Sequence, residues 1–110
     1  MFHDGRVGYR KLRVWQVADQ LAFAVYNVTT AFPKEERYGM TSQLRRAVLS
    51  VPTNVVEGCG RQGKRELKQF INLAMGSLAE VDYTPIYEDL EEKRSQAGKL
   101  LWGFYRSIDV

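Results

Sequence analysis

The sequence holds one cysteine, one histidine and three prolines, and it has no long apolar run. Each scarcity removes a class of function. Cys59 alone can form no disulfide within the chain, and zinc or thiol-exchange chemistry has no ligand set. The sole histidine, His3, stands in a glycine-containing N-terminal stretch, so the Glu-x-x-His pairs of a di-iron bundle cannot be assembled. Gly58, Gly60 and Gly63 have neither the spacing nor the preceding strand of a phosphate-binding loop. No stretch approaches the ~20 apolar residues that cross a bilayer. Met1–Arg6 has no hydrophobic segment behind its charges, as a secretory leader would. The expectation is a cytoplasmic, non-enzymatic protein with no cofactor, metal or membrane partner, in which Cys59 is an incidental small residue.

What is present fits one globular domain. The chain has 110 residues, 45% of them apolar and 26% charged, and folding at this size buries roughly two-thirds of the unfolded surface. The net charge of +3 is unevenly spread. Met1–Lys68 carries 12 basic and 6 acidic side chains (+6), whereas Gln69–Val110 carries 4 and 7 (−3). Such asymmetry suits a surface that faces a polyanion, or two surfaces that attract each other between subunits. A solvated surface without a partner is the plain alternative.

The periodicity predicts an all-α protein. Residues 1–8 read as a loose tail, and 9–110 as a single antiparallel up-down four-helix bundle. The first helix is expected from Tyr9 or Arg10 to Phe32, with Val14, Ala18, Leu21, Val25, Val28 and Phe32 at steps of four and three. Pro33 ends it and opens a short turn to Tyr38, and Gly39 supplies a break. Thr41 or Ser42 can cap a second helix whose inner face is Leu44, Ala47 or Val48, Val51 and Val55. Pro52, inside that helix, removes one hydrogen bond and bends it. Gly58, Gly60 and Gly63 form a flexible, basic connection to a third helix over Lys64–Tyr83. The buried stripe of that helix is Leu67, Phe70 or Ile71, Ala74, Leu78 and Val81. Gly76, which costs a helix about 1 kcal/mol, marks a close approach of a neighbouring helix. Thr84-Pro85 starts the last helix, with Glu88, Asp89, Glu91 and Glu92 in its early turns. Its seam is Tyr87, Leu90, Ala97, Leu101, Phe104 and Ile108.

Several large apolar residues miss these seams. Leu12 and Phe23 share an outward azimuth on the first helix, Leu49 is displaced on the second, and Trp102 and Tyr105 flank the stripe of the fourth. Together they point to a contact between copies, a homo-oligomer.

Two polar constellations carry possible chemistry. Glu88, Asp89, Glu91 and Glu92 could share a magnesium ion, but no second carboxylate motif stands on a partner helix. A solvated first turn supporting the helix dipole explains them without metal. On the second helix Gln43, Arg46, Ser50, Asn54 and Glu57 recur at steps of three and four, with Arg45 beside them. Arg61, Lys64, Arg65 and Lys68 follow along the chain. Arginines and lysines hold phosphates, and Gln43 and Asn54 can hydrogen-bond a phosphate or a base edge. The same stripe reads equally as a hydrogen-bonded network between subunits or as a solvated face.

Leu12-Arg13-Val14-Trp15-Gln16 and Phe32-Pro33-Lys34-Glu35-Glu36-Arg37-Tyr38-Gly39 resemble a signature of a bacterial family. Its members are four-helix bundle proteins encoded within intervening sequences of 23S ribosomal RNA genes. The resemblance continues through Ser42-Gln43-Leu44-Arg45-Arg46-Ala47, Ser50-Val51-Pro52-Thr53-Asn54 and Glu57-Gly58, then Phe70, Ala74, Gly76-Ser77-Leu78 and Glu80, covering about Tyr9–Tyr83. It implies an up-down bundle assembled into a homo-oligomeric ring, often a pentamer, without an assigned activity. By fold it extends to the basic ring-forming accessory proteins of diversity-generating retroelements, which implies an RNA-binding or scaffold role. Arg45, Arg46, Arg61, Lys64, Arg65 and Lys68 would then contact phosphates. The pattern is left after Tyr83, where Thr84-Pro85 opens the last helix early, as though a segment were missing.

Overall fold

Apolar side chains spaced three and four residues apart turn inward on four helices: α1 (Arg13–Thr29), α2 (Ser42–Cys59), α3 (Lys64–Tyr83) and α4 (Glu91–Ser107). The structure, a computed structural model, describes residues 8–83 and 90–109. Among these residues there is no strand, and the fold is all-α. The expected residues of the N-terminal tail with His3, the Thr84-Pro85 helix start, Tyr87, Glu88 and Asp89 lie outside the described residues.

Each helix touches two others, α1 with α2, α2 with α3, α3 with α4 and α4 with α1, so that one core runs down the middle. Leu21, Val25, Leu44, Val48, Val51, Val55, Ile71, Ala74, Ala97 and Leu101 are fully enclosed there. Burying each of the larger ones contributes about 1.5–3 kcal/mol. The result is elongated, with extents of 44 × 21 × 20 Å. No helix among the described residues is long and apolar enough to cross a membrane.

The first helix departs from the sequence expectation at both ends. Leu12 is extended (φ −78°, ψ 126°) and separates a 3-10 turn, Tyr9–Lys11, from α1. Two contacts stabilise the break. The Gln16 side-chain amide donates to the Arg10 carbonyl at 2.9 Å, and the Tyr9 and Trp15 rings meet edge to face at 5.0 Å. Because of it Leu12 leaves the outward azimuth of a continuous helix and packs, half-buried, against the core. Phe23 stays 66% exposed, as its azimuth requires. At the other end α1 stops at Thr29, three residues before Phe32. Here the Thr29 hydroxyl donates to the Val25 carbonyl at 2.8 Å and the Thr30 hydroxyl to that of Tyr26 at 2.8 Å. The chain leaves through a turn in which the Phe32 amide donates to the Thr29 carbonyl at 3.1 Å.

Between α1 and α2 lie a 3-10 turn, Lys34–Glu36, and a wide turn, Arg37–Thr41, broken at Gly39 (φ −109°, ψ −107°). Thr41 precedes α2 but makes no side-chain cap. Its backbone is already helical (φ −60°, ψ −47°), whereas a capping hydroxyl needs an extended backbone to reach the next amides. The Thr41 Oγ1 is buried without a hydrogen-bond partner.

Pro52 lies buried within α2, where its ring deprives the Val48 carbonyl of an amide donor. Polar neighbours bond the carbonyls around it: the Ser50 hydroxyl donates to Ala47 at 3.2 Å, the Thr53 hydroxyl to Leu49 at 2.8 Å and the Asn54 amide to Ser50 at 2.8 Å. Gly58 belongs to α2 rather than to the connection. A Cβ there would lie 2.9 Å from the Phe70 Cβ and 3.1 Å from the Leu67 Cδ1, so this glycine sets the close approach of α2 and α3. Gly76 does not: nothing comes within 4 Å of its Cβ position.

Candidate nucleic-acid interface

The basic residues singled out from the sequence separate into two groups. Arg45 is turned toward α1. Its Nε donates to the Thr29 hydroxyl at 2.8 Å, a terminal nitrogen reaches the Tyr26 carbonyl at 3.3 Å, and the guanidinium stands 4.8 Å from the Tyr26 ring centre. Arg45 thus closes the carbonyl end of α1, where a cation is favoured by the helix dipole. Gln43 and Arg46 are exposed on α2. Asn54 is half-buried and donates back to its own helix, and Ser50 hydrogen-bonds Ser77 of α3. Ser50 and Asn54 are therefore engaged with the backbone around Pro52 and with the α2–α3 seam.

Arg61, Lys64, Arg65 and Lys68 come together where α2 passes into α3. Arg61, Lys64 and Arg65 are exposed. The Arg61 guanidinium lies over the Phe70 ring at 4.8 Å. The Lys68 ammonium stands 4.6 Å from the Tyr105 ring centre and donates to the Ile108 carbonyl at 3.4 Å. That contact brings the last turn of α4 to the same place, and Arg106 with it. Arg65, Lys68, Gln69, Asn72 and Tyr105 line a shallow cleft of about 170 Å³.

Cations outnumber acids at this end, Arg61, Lys64, Arg65, Lys68 and Arg106 against Glu57, Glu66 and Asp109. Lys64, Arg65 and Lys68 occupy the first turns of α3, with Glu66 as the only acid of the first turn. A helix N-terminus carries a partial positive charge, so each cation placed there costs about 0.3–1 kcal/mol when exposed. A bound anion would relieve that repulsion. Glu57 near the end of α2, Glu66 and Asp109 are the acids of this end; Glu80 lies late in α3, and Glu91 and Glu92 in the first turn of α4, where Glu91 pairs with Arg94. Leu78 faces Gly98, which leaves this acidic start of α4 beyond Leu78 and away from Lys68. Among the described residues no three His, Cys, Asp or Glu side chains are grouped to hold a metal ion. Cys59 is buried in the core, and burial pushes its thiol up to about 11, so it is protonated at neutral pH.

Three residues of this region were not among the sequence candidates for nucleic-acid binding. By azimuth alone Tyr105 and Trp102 point to a contact between copies, and Arg106 belongs to neither polar constellation of the sequence. The available signal was Trp102-x-x-Tyr105-Arg106, aromatics and a cation at i, i+3 and i+4 on one helix face. The contacts of Lys68 with Ile108 and with the Tyr105 ring place that face beside the basic start of α3.

No curated protein matches the chain. Residues 10–97 match the model of a protein family described as 23S rRNA-intervening sequence protein, so the likeness runs past Tyr83 and into α4.

Proposed function

The chain belongs to the 23S rRNA-intervening sequence protein family, and from that premise we propose that it is a non-enzymatic, self-associating bundle that binds RNA through its basic end. The observation that carries this reading is the convergence of Arg61, Lys64, Arg65 and Lys68 with Arg106 at the α2–α3 connection. The cations there repel one another and the dipole of α3, and a phosphate backbone neutralises both. An up-down antiparallel course is supported by the order of the contacts. Ser50 meets Ser77 while Gly58 meets Phe70, and Leu78 meets Gly98 while Lys68 meets Ile108. In such a course the Tyr9–Lys11 turn, with Arg10, Lys11 and Arg13, adds its charge to the same end.

A second reading is a scaffold ring that binds protein and no RNA. It is favoured by Leu49 and Leu73, 48% and 54% exposed on adjacent helices, with the open Gly76 close by in sequence. Fluorescence anisotropy against structured RNA, single-stranded RNA and duplex DNA across a salt series separates the two. RNA binding predicts an affinity that falls linearly with log salt, with a shallower slope once Arg61→Glu and Arg65→Glu are introduced. Absence of binding at low salt sinks the RNA reading and leaves the scaffold.

A further inference from the structure

Trp102 is 52% exposed although it lies on the helix that closes the bundle. Its ring is stacked on that of Tyr105, with centroids 5.8 Å apart and planes inclined by only 15°. Around this pair stand cations from two helices. Lys68 lies 4.6 Å from the Tyr105 centroid and Arg106 lies 5.9 Å from that of Trp102, while Arg65 lines the cleft that Tyr105 walls. Asn72, in the same cleft, offers an amide that can both donate and accept.

We propose that Trp102 and Tyr105 are a stacking platform for the unpaired bases of a single-stranded RNA segment, whose phosphates pass along Arg65, Lys68 and Arg106. The inference rests on the RNA-binding reading above and adds to it the strand state of the ligand and the residues that receive the bases.

The chemistry narrows the occupant. A flat, solvent-exposed indole offers a base the same stacked geometry it already has with Tyr105, and every base has such a face. Flanking cations hold the backbone that follows the bases, and they strengthen the stack by cation–π attraction. An RNA duplex keeps its base faces stacked inside and presents phosphates, hydroxyls and base edges, so it offers the indole no face to stack on. A two-fold contact between two copies of this face would bring the Arg65, Lys68 and Arg106 cations of one copy against those of the other, a like-charge arrangement.

The chain has two tryptophans, so Trp15→Phe leaves Trp102 as the single reporter. The probes are a short oligoadenylate and an RNA duplex of equal length, titrated at low salt by Trp102 emission and by anisotropy of an end label. The proposal expects quenching of Trp102 by the single strand. It expects Trp102→Ala to lose about tenfold or more of single-strand affinity while duplex affinity stays unchanged, and Trp102→Phe to retain most of it. Circular dichroism and urea unfolding establish that each variant is folded. Salt-dependent RNA binding with unquenched Trp102 and an unaffected Trp102→Ala overturns the platform and leaves the RNA reading standing. Loss of self-association in Trp102→Ala by sedimentation assigns the face to a contact between copies and also overturns it. No binding of either probe overturns both.

Discussion

The Nε of Arg45 donates to the Thr29 hydroxyl at 2.8 Å, tying the start of α2 to the end of α1 across sixteen residues of sequence. The same hydroxyl donates back to Val25, so guanidinium, hydroxyl and carbonyl form one chain of hydrogen bonds. An arginine that composition alone would place among phosphate contacts is thereby occupied within the fold.

Arg45→Ala should cost about 1–3 kcal/mol, the range for losing a charged hydrogen bond to a partly buried group. RNA affinity should change little, in contrast to Arg65→Glu. Urea unfolding and the anisotropy titration, run on both variants, check the contrast. A binding loss in Arg45→Ala equal to that of Arg65→Glu, with unchanged stability, would reverse the assignment.

Gly58→Ala should destabilise by about 1–3 kcal/mol, because its methyl would enter the 2.9 Å gap to the Phe70 Cβ. Gly76→Ala, with open space around it, should stabilise an isolated chain by up to about 1 kcal/mol. Chemical denaturation measures both. Sedimentation of Gly76→Ala adds a second readout, since dissociation of an oligomer would show that another copy approaches this glycine.

Thr41→Val replaces a buried, unpartnered hydroxyl by a methyl of similar shape. Stability should hold or rise by about 1 kcal/mol, since no hydrogen bond is lost and a desolvated polar atom is removed. A fall of more than about 1 kcal/mol in the unfolding free energy would mean that the hydroxyl has a partner.

The Cys59 thiol, pushed by burial from 9.0 up to about 11, holds its proton more tightly folded than unfolded. The sign follows from linkage: its contribution is fully present below pH 9.0 and is lost as pH rises from there through about 11. Stability should therefore decline over that alkaline window, and less so in Cys59→Ala after correction for its lower starting value. At neutral pH a thiol-reactive dye should label the native chain slowly and the urea-unfolded chain fast.

The four helices and most of the core were legible because heptad spacing needs only the sequence. Leu44, Val51, Val55, Ile71, Ala74, Leu78 and Leu101 all fall on predicted seams and all are buried. The break at Leu12 was not legible, because it depends on Tyr9 meeting Trp15 and Gln16 reaching Arg10, contacts that a period of 3.6 does not encode. Gly58 and Gly76 look alike in sequence and differ only in what faces them. Of the candidate site, the run Arg61–Lys68 was visible as a charge cluster. Trp102 and Arg106 joined it only through the packing of α4 on α3, a long-range relation that no local pattern carries.

The concentration of cations at one end of a body 44 Å long and about 20 Å across makes the molecule an electric arrow. In the field of a polyanion such a body feels a torque before it feels a contact, and it turns its basic tip forward while still diffusing. Encounters then begin already aligned, and the association rate gains more than the lifetime of the complex. Added salt should consequently slow capture first and hasten release second.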